Sequence, residues 1–119
     1  MSLAQKLQIK EGQSVTVLHA PKGVEIDLPE KSRKPSNVAA ADVVIVFATN
    51  RAELGKRADA FVDAARRDAL AWIAYPKAGQ LDTDLNRDSL WQLLEARGIR
   101  PVRQVAIDDV WSALRFRPA

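Results

Sequence analysis

His19, Lys22, Asn50, Arg51 and Lys77 are the side chains of this sequence best suited to holding a small anion. Ammonium and guanidinium groups pair with carboxylate or phosphate, and an imidazole or amide adds a donor. They follow three apolar runs that read as strands, in segments 19–23, 49–51 and 76–83, so in an α/β sheet they converge on one edge. Ligands of open α/β sheets collect there, beyond the carboxyl ends of the strands where the strand order reverses. The plainer reading of the same five residues is a set of solvated loop side chains.

The other constellations carry less chemistry. His19 is the only histidine and cysteine is absent, which removes multi-histidine metal sites, thiolate sites, disulfides and cysteine nucleophiles. A Ser-His-acid arrangement needs a nucleophile within reach of the imidazole, and no spacing places one beside His19. A packed or hydrogen-bonded histidine is the simpler account. Asp82-Thr83-Asp84-Leu85-Asn86 has the D-x-D-x-N opening of a calcium loop. Arg87 then stands where such a loop needs glycine and Leu93 where it needs a bidentate glutamate. Carboxylates gathered at a helix start account for this stretch better. Arg100, Arg103, Arg115 and Arg117 fall in an expected terminal hairpin, where they offer a surface to RNA, DNA or an acidic protein, or simply blunt a sheet edge. Phe116 falls on the other face of its strand, so no stacking aromatics interleave the charges and nucleic acid is not the expected partner. Trp72, Trp91 and Trp111 lie in apolar patterns that suit a core. No catalytic residue and no metal ligand set is assigned.

The elements that must position these groups are organised around Ala41-Asp42-Val43-Val44-Ile45-Val46-Phe47-Ala48-Thr49, the longest β-branched apolar block. A strand apolar on both faces has to be covered on both faces, as in α/β folds. Residues 14–19 predict an earlier strand, and residues 24–28 alternate apolar and acidic as a half-exposed one. The polar segment 29–37, with two prolines, reads as a surface loop. Leu54, Ala58, Phe61, Val62 and Ala65 recur at helical spacing over residues 51–68, with Asn50 as N-cap. Residues 69–75 form a second buried strand, completing a βαβ unit. A second helix follows Asn86, with Leu90, Leu93 and Leu94 inward and Gly98 just past its end. Strands over residues 100–107 and 111–117 then pair antiparallel about Asp108-Asp109. The 43–48 strand is expected between the first strand and the 70–75 strand, at the point where the order reverses.

At 119 residues the chain makes one domain, residues 1–119, with room for a single core. Its 47% hydrophobic and 28% charged residues are ordinary globular values. A net charge of +3 is spread along the chain rather than gathered in a run. The longest apolar run, residues 69–75, falls far short of the roughly 18 residues of a membrane-spanning helix. No apolar signal core opens the sequence, which makes a cytoplasmic location the expectation.

Three stretches carry a resemblance: Leu18-His19-Ala20-Pro21-Lys22-Gly23, Tyr75-Pro76-Lys77 with Thr83-Asp84-Leu85, and Asp108 with Trp111-Ser112-Ala113-Leu114-Arg115-Phe116. From Ile9 onward the chain resembles a family of short, uncharacterised bacterial proteins that look like trimmed versions of the class I S-adenosylmethionine-dependent methyltransferase fold. The resemblance implies a small Rossmann-like (methyltransferase-like) α/β three-layer sandwich, its sheet mostly parallel with a C-terminal antiparallel hairpin. True methyltransferases carry a glycine-rich loop after the first strand, where His19-Ala20-Pro21-Lys22-Gly23 has one glycine, a proline and no following helix. S-adenosylmethionine is therefore not expected as a cofactor, and no other is. The expected function is a non-catalytic binding or interaction protein on a degenerate scaffold, acting through a protein partner or a homodimer. The alternative is an enzyme or sensor for a nucleotide, S-adenosylmethionine or an anionic metabolite, held by the strand-end loops.

Overall fold

The computed structural model describes residues 3–24, 26 and 40–119. In chain order the elements are helix α1 (Leu3–Lys6), strands β1 (Val15–Leu18) and β2 (Val43–Phe47), helix α2 (Arg51–Arg66), strand β3 (Leu70–Pro76), helix α3 (Arg87–Glu95), and strands β4 (Ile99–Ala106) and β5 (Trp111–Pro118). Most of the expected 24–28 strand and all of the 29–37 loop lie outside the described residues; of that strand, Val24 and Ile26 pack against the core.

Every residue of β2 is buried, as its unbroken apolar sequence requires. The strand pairs in parallel with β1 on one side, Val15 opposite Val43, and with β3 on the other, Val43 opposite Leu70. The hairpin forms as expected, but β5 inserts between β3 and β4, so the sheet order is β1-β2-β3-β5-β4. Both of its ladders, β3 with β5 and β5 with β4, are antiparallel.

The sheet is therefore mixed, with two parallel and two antiparallel ladders, and the expected mostly parallel, Rossmann-like sandwich does not form. Helices α2 and α3 both cover one face, setting Leu54, Ala58, Phe61, Leu90 and Leu94 on Val44, Val46, Ile73, Leu114 and Phe116. Among the described residues, the opposite face, bearing Ile45, Phe47, Trp72 and Trp111, is covered by Ala4, Leu7 and Ile9 of the N-terminal segment and by no full helical layer. Nor does the strand order reverse at β2, because β1, β2 and β3 run in sequence across the sheet. The physical reason lies in the hairpin. A short turn at Asp108 and Asp109 can only return β5 antiparallel beside β4, and the apolar face of β5 is needed to complete the core next to β3.

Local signals place the helices. The Asn50 side chain accepts the Glu53 N–H at 2.9 Å and starts α2. Asn86 and Ser89 form a reciprocal capping box at α3, both bonds 2.9 Å. Gly98, at φ 86°, ends the α3 turn in a left-handed conformation. On α3, Leu90 and Leu94 are buried, whereas Trp91 and Leu93, expected inside, are exposed. They flank the narrow buried stripe of a helix that covers the sheet on one side only. No helix among the described residues is long and apolar enough to cross a membrane.

Candidate functional site

Parallel β1, β2 and β3 bring the loops of His19, Asn50, Arg51 and Lys77 to the carboxyl edge of the sheet. Most of the polar groups there are bonded to one another. The Arg51 N–H, in the first turn of α2, donates to Asp84 Oδ1 at 2.8 Å, and its Nε donates to the Asp84 carbonyl at 3.4 Å. The Asn50 amide oxygen caps the same helix. A carboxylate of the chain itself thus occupies the positive end of α2, where an external anion would otherwise be favoured. Thr83 Oγ1 donates to the Thr49 carbonyl at 2.6 Å and accepts the Leu85 N–H at 3.1 Å, fastening the loop down. The calcium-like run therefore works as helix caps and a loop latch.

His19 is exposed, with φ 63°, and lies close enough to Glu53 to act on its charge. Lys22 is exposed and Lys77 half-buried, its N–H donating to the Val110 carbonyl at 2.7 Å. The structure brings His19, Asn50 and Arg51 around the start of α2. Among the described residues no side-chain hydrogen bond or ion pair joins Lys22 or Lys77 to them.

Glu53 is the electrostatic centre of this edge. The Thr49 N–H, donating to Oε1 at 2.7 Å, holds its carboxyl below the usual range; partial burial opposes this, and the Thr49 hydroxyl, Arg57 and His19 reinforce it. Arg57 also reaches the Phe47 carbonyl at 3.1 Å, tying α2 to the end of β2. A carboxylate with a depressed folded pKa stabilises fully above its unfolded value, about 4.3, and the gain is lost as pH falls through the folded value. Glu53→Gln should therefore be less stable than the parent at pH 7, by about 1 kcal/mol in urea unfolding. The gap should narrow below about pH 4.3. A gap that is constant down to pH 3 would contradict this role.

A cleft lies at the opposite, amino edge of the sheet. It encloses about 550 Å³ and is lined by Gln8, Lys10, Gln13, Asp42, Arg67, Asp68, Ala69, Leu70 and Arg115. Its floor is rigid, because Ser14 and Asp42 exchange bonds at the starts of β1 and β2: the Ser14 N–H donates to Asp42 Oδ2 and the Asp42 N–H to Ser14 Oγ, both at 2.9 Å. The last turn of α2 joins this floor through Arg67, which donates to the Ala41 carbonyl at 2.8 Å. One wall is the N-terminal segment, pinned where the buried Trp72 indole donates to the Leu7 carbonyl at 3.0 Å.

The other wall is the end of the hairpin, where the register stacks Arg100 opposite Arg117 and Arg103 opposite Arg115. Arg117 is neutralised by Asp68 through two bonds of 2.9 and 3.0 Å, which hold the Asp68 carboxyl low. Arg115 donates to Gln8 Oε1 at 2.7 Å, while its buried Nε has no acceptor. Burial, and then repulsion from Arg117 and Arg103, push the Arg115 pKa down against the pull of Asp68. Leaving a buried donor unpaired costs on the order of 1–3 kcal/mol. Gln8 and Asp68, the residues that receive these two arginines, both have left-handed backbones, with φ 64° and 60°. Non-glycine residues hold that conformation at a cost, and such strain gathers at ligand clamps.

Sequence reasoning singled out the four hairpin arginines but missed Gln8, Lys10, Gln13, Arg67 and Asp68 as their neighbours. The alternation of Arg115 and Arg117 with Leu114 and Phe116 was the available signal. The carboxyl-edge rule for α/β sheets drew attention to the other end. The Asp108 and Trp111 of the resemblance motifs prove to build the hairpin: Asp108 Oδ1 accepts the Val110 and Trp111 N–H groups at 2.8 and 2.7 Å, and the Trp111 ring meets Phe47 edge-on at 5.2 Å. In comparisons with known proteins, no family model and no curated protein matches this chain.

Proposed function

We propose that the protein is a non-catalytic binding protein that takes a small molecule in the amino-edge cleft. The observation that carries this reading is Arg115: a partly buried guanidinium in the cleft wall, set beside Arg117 and Arg103, with its buried Nε unpaired and its position fixed by a strained Gln8. A chain that only needed to fold would gain by placing an apolar residue on this row of the sheet, beside Trp72. A ligand that engages the guanidinium gives that cost a purpose. The non-catalytic part rests on Asp68, whose two oxygens are both held by Arg117 and whose lowered pKa makes it a poor proton acceptor near neutrality. At the carboxyl edge, by contrast, the polar groups around the start of α2 already serve each other.

A thermal-shift screen with nucleotides, S-adenosylmethionine and acidic metabolites tests the reading. The expected result is at least one stabiliser whose effect disappears in Arg115→Met and whose amide shift changes map to Gln8, Asp68 and Arg115. Shifts centred on His19, Lys22 or Lys77 would move the site to the carboxyl edge and refute it, as would turnover of the stabiliser. Silence across the panel together with a co-purifying protein would replace it with the partner-binding function expected from sequence.

A further inference from the structure

Resting on the preceding reading of the cleft, we infer that its ligand is a small oxyanion, a molecule presenting carboxylate or phosphate oxygens and few donors of its own. The argument is an inventory of what the lining has left to offer. Gln8 Oε1 is taken by Arg115 and Gln13 Oε1 by the Lys10 N–H, at 2.7 and 2.8 Å. Guanidinium and backbone N–H groups can only donate, so both amides are fixed with their oxygens turned to these partners and their NH2 groups turned away. Asp68 spends both oxygens on Arg117, and Asp42 Oδ2 accepts the Ser14 N–H.

The lining's acceptors are thus largely consumed by its own donors. What remains is a set of donors: the Lys10 ammonium, the NH2 groups of Gln8 and Gln13, and the second amino group of Arg115. Charge points the same way. Three cations, Lys10, Arg67 and Arg115, line the cleft against two carboxylates; from outside it Asp63 pairs with Arg67 and Arg117 with Asp68, which leaves Lys10 and Arg115 facing Asp42. Arg103, opposite Arg115 in the register, adds to the positive field. A cation or a donor-rich ligand would find few acceptors and an unfavourable potential. An oxyanion finds donors and positive charge, and it relieves the repulsion among the arginines.

Isothermal titration in low-salt buffer with inorganic pyrophosphate, citrate and spermidine separates the outcomes. Pyrophosphate or citrate should bind the parent protein, at least tenfold more weakly to Arg115→Met and severalfold more weakly to Lys10→Gln, and spermidine should not bind. Binding of one anion alone supports the inference and tells phosphate from carboxylate. Lys10 is exposed, so its variant keeps the test intact should Arg115→Met fold poorly. Anion binding that neither variant weakens would mark diffuse surface attraction and overturn the inference. So would silence of both anions at millimolar concentration. In that case a non-anionic stabiliser that maps to Gln8 and Asp68 would leave the cleft standing as the site, whereas no ligand at all would remove both.

Discussion

Trp72→Ala should lower the free energy of unfolding by about 3–5 kcal/mol and loosen the N-terminal segment beyond that global loss. Trp72 is the largest fully buried side chain and lies on the face that, among the described residues, the N-terminal segment covers. Its ring packs with Leu7, Ile9, Ile45 and Phe47 in one cluster, and its indole N–H is the bond that ties Leu7 to the sheet. Alanine leaves a cavity and also an unpaired carbonyl. Urea unfolding measures the first effect. Hydrogen exchange measures the second, at the Leu7 and Ile9 amides, which donate to the Leu3 and Ala4 carbonyls at 2.9 and 3.0 Å. Trp72→Phe, which keeps a ring but loses the donor, should cost less overall and still speed exchange at both amides. Unchanged exchange there in either variant would mean that the segment is held by apolar contact alone. Because Gln8 and Lys10 form a wall of the cleft, both variants should also weaken whatever binds there.

Phe61→Ala should cost a similar amount, about 3–5 kcal/mol, but with a different distribution. Phe61 is fully buried on α2 and meets Phe116 of β5 edge-on, with ring centroids 5.5 Å apart at 87°. It joins the helical layer to the inserted strand, so its loss should lower stability as one cooperative step, seen as a shift in the urea midpoint at constant slope. Exchange at Leu7 and Ile9 should rise only as far as global stability falls, since the N-terminal segment packs on the other face of the sheet. Selective opening of the N-terminal segment in this variant would show that the two faces are not independent.

Much of the architecture was legible because it depends on interactions close in sequence. The β-branched run of β2 has only one state that buries it all. Asn50, Asn86 and Gly98 mark helix ends through bonds and backbone angles within a few residues, and the structure places all three in those roles. The Leu114, Arg115, Phe116, Arg117 alternation announced a hairpin strand with a charged face. Which strand β5 joins was not legible, and that pairing made the sheet mixed. Both sides of β3 are apolar, so its sequence fits a parallel or an antiparallel neighbour equally well.

The candidate site divides along the same line. The sequence by itself determined that cations stand at strand ends and that Arg115 and Arg117 share one side of β5, because side-chain alternation is a property of the strand alone; Arg100 and Arg103, three apart, come opposite them through the register shift between Pro101 and Arg103. Only the tertiary structure decided which of them meet. Asp84 reaches the start of α2 across 33 positions and removes the helix end as an open anion site. Gln8 reaches Arg115 across 107 positions and ties the N-terminal segment to the hairpin at the amino edge. No local pattern encodes such a contact: the order of the strands in the sheet sets it, and that order follows from which apolar faces the finished core must cover.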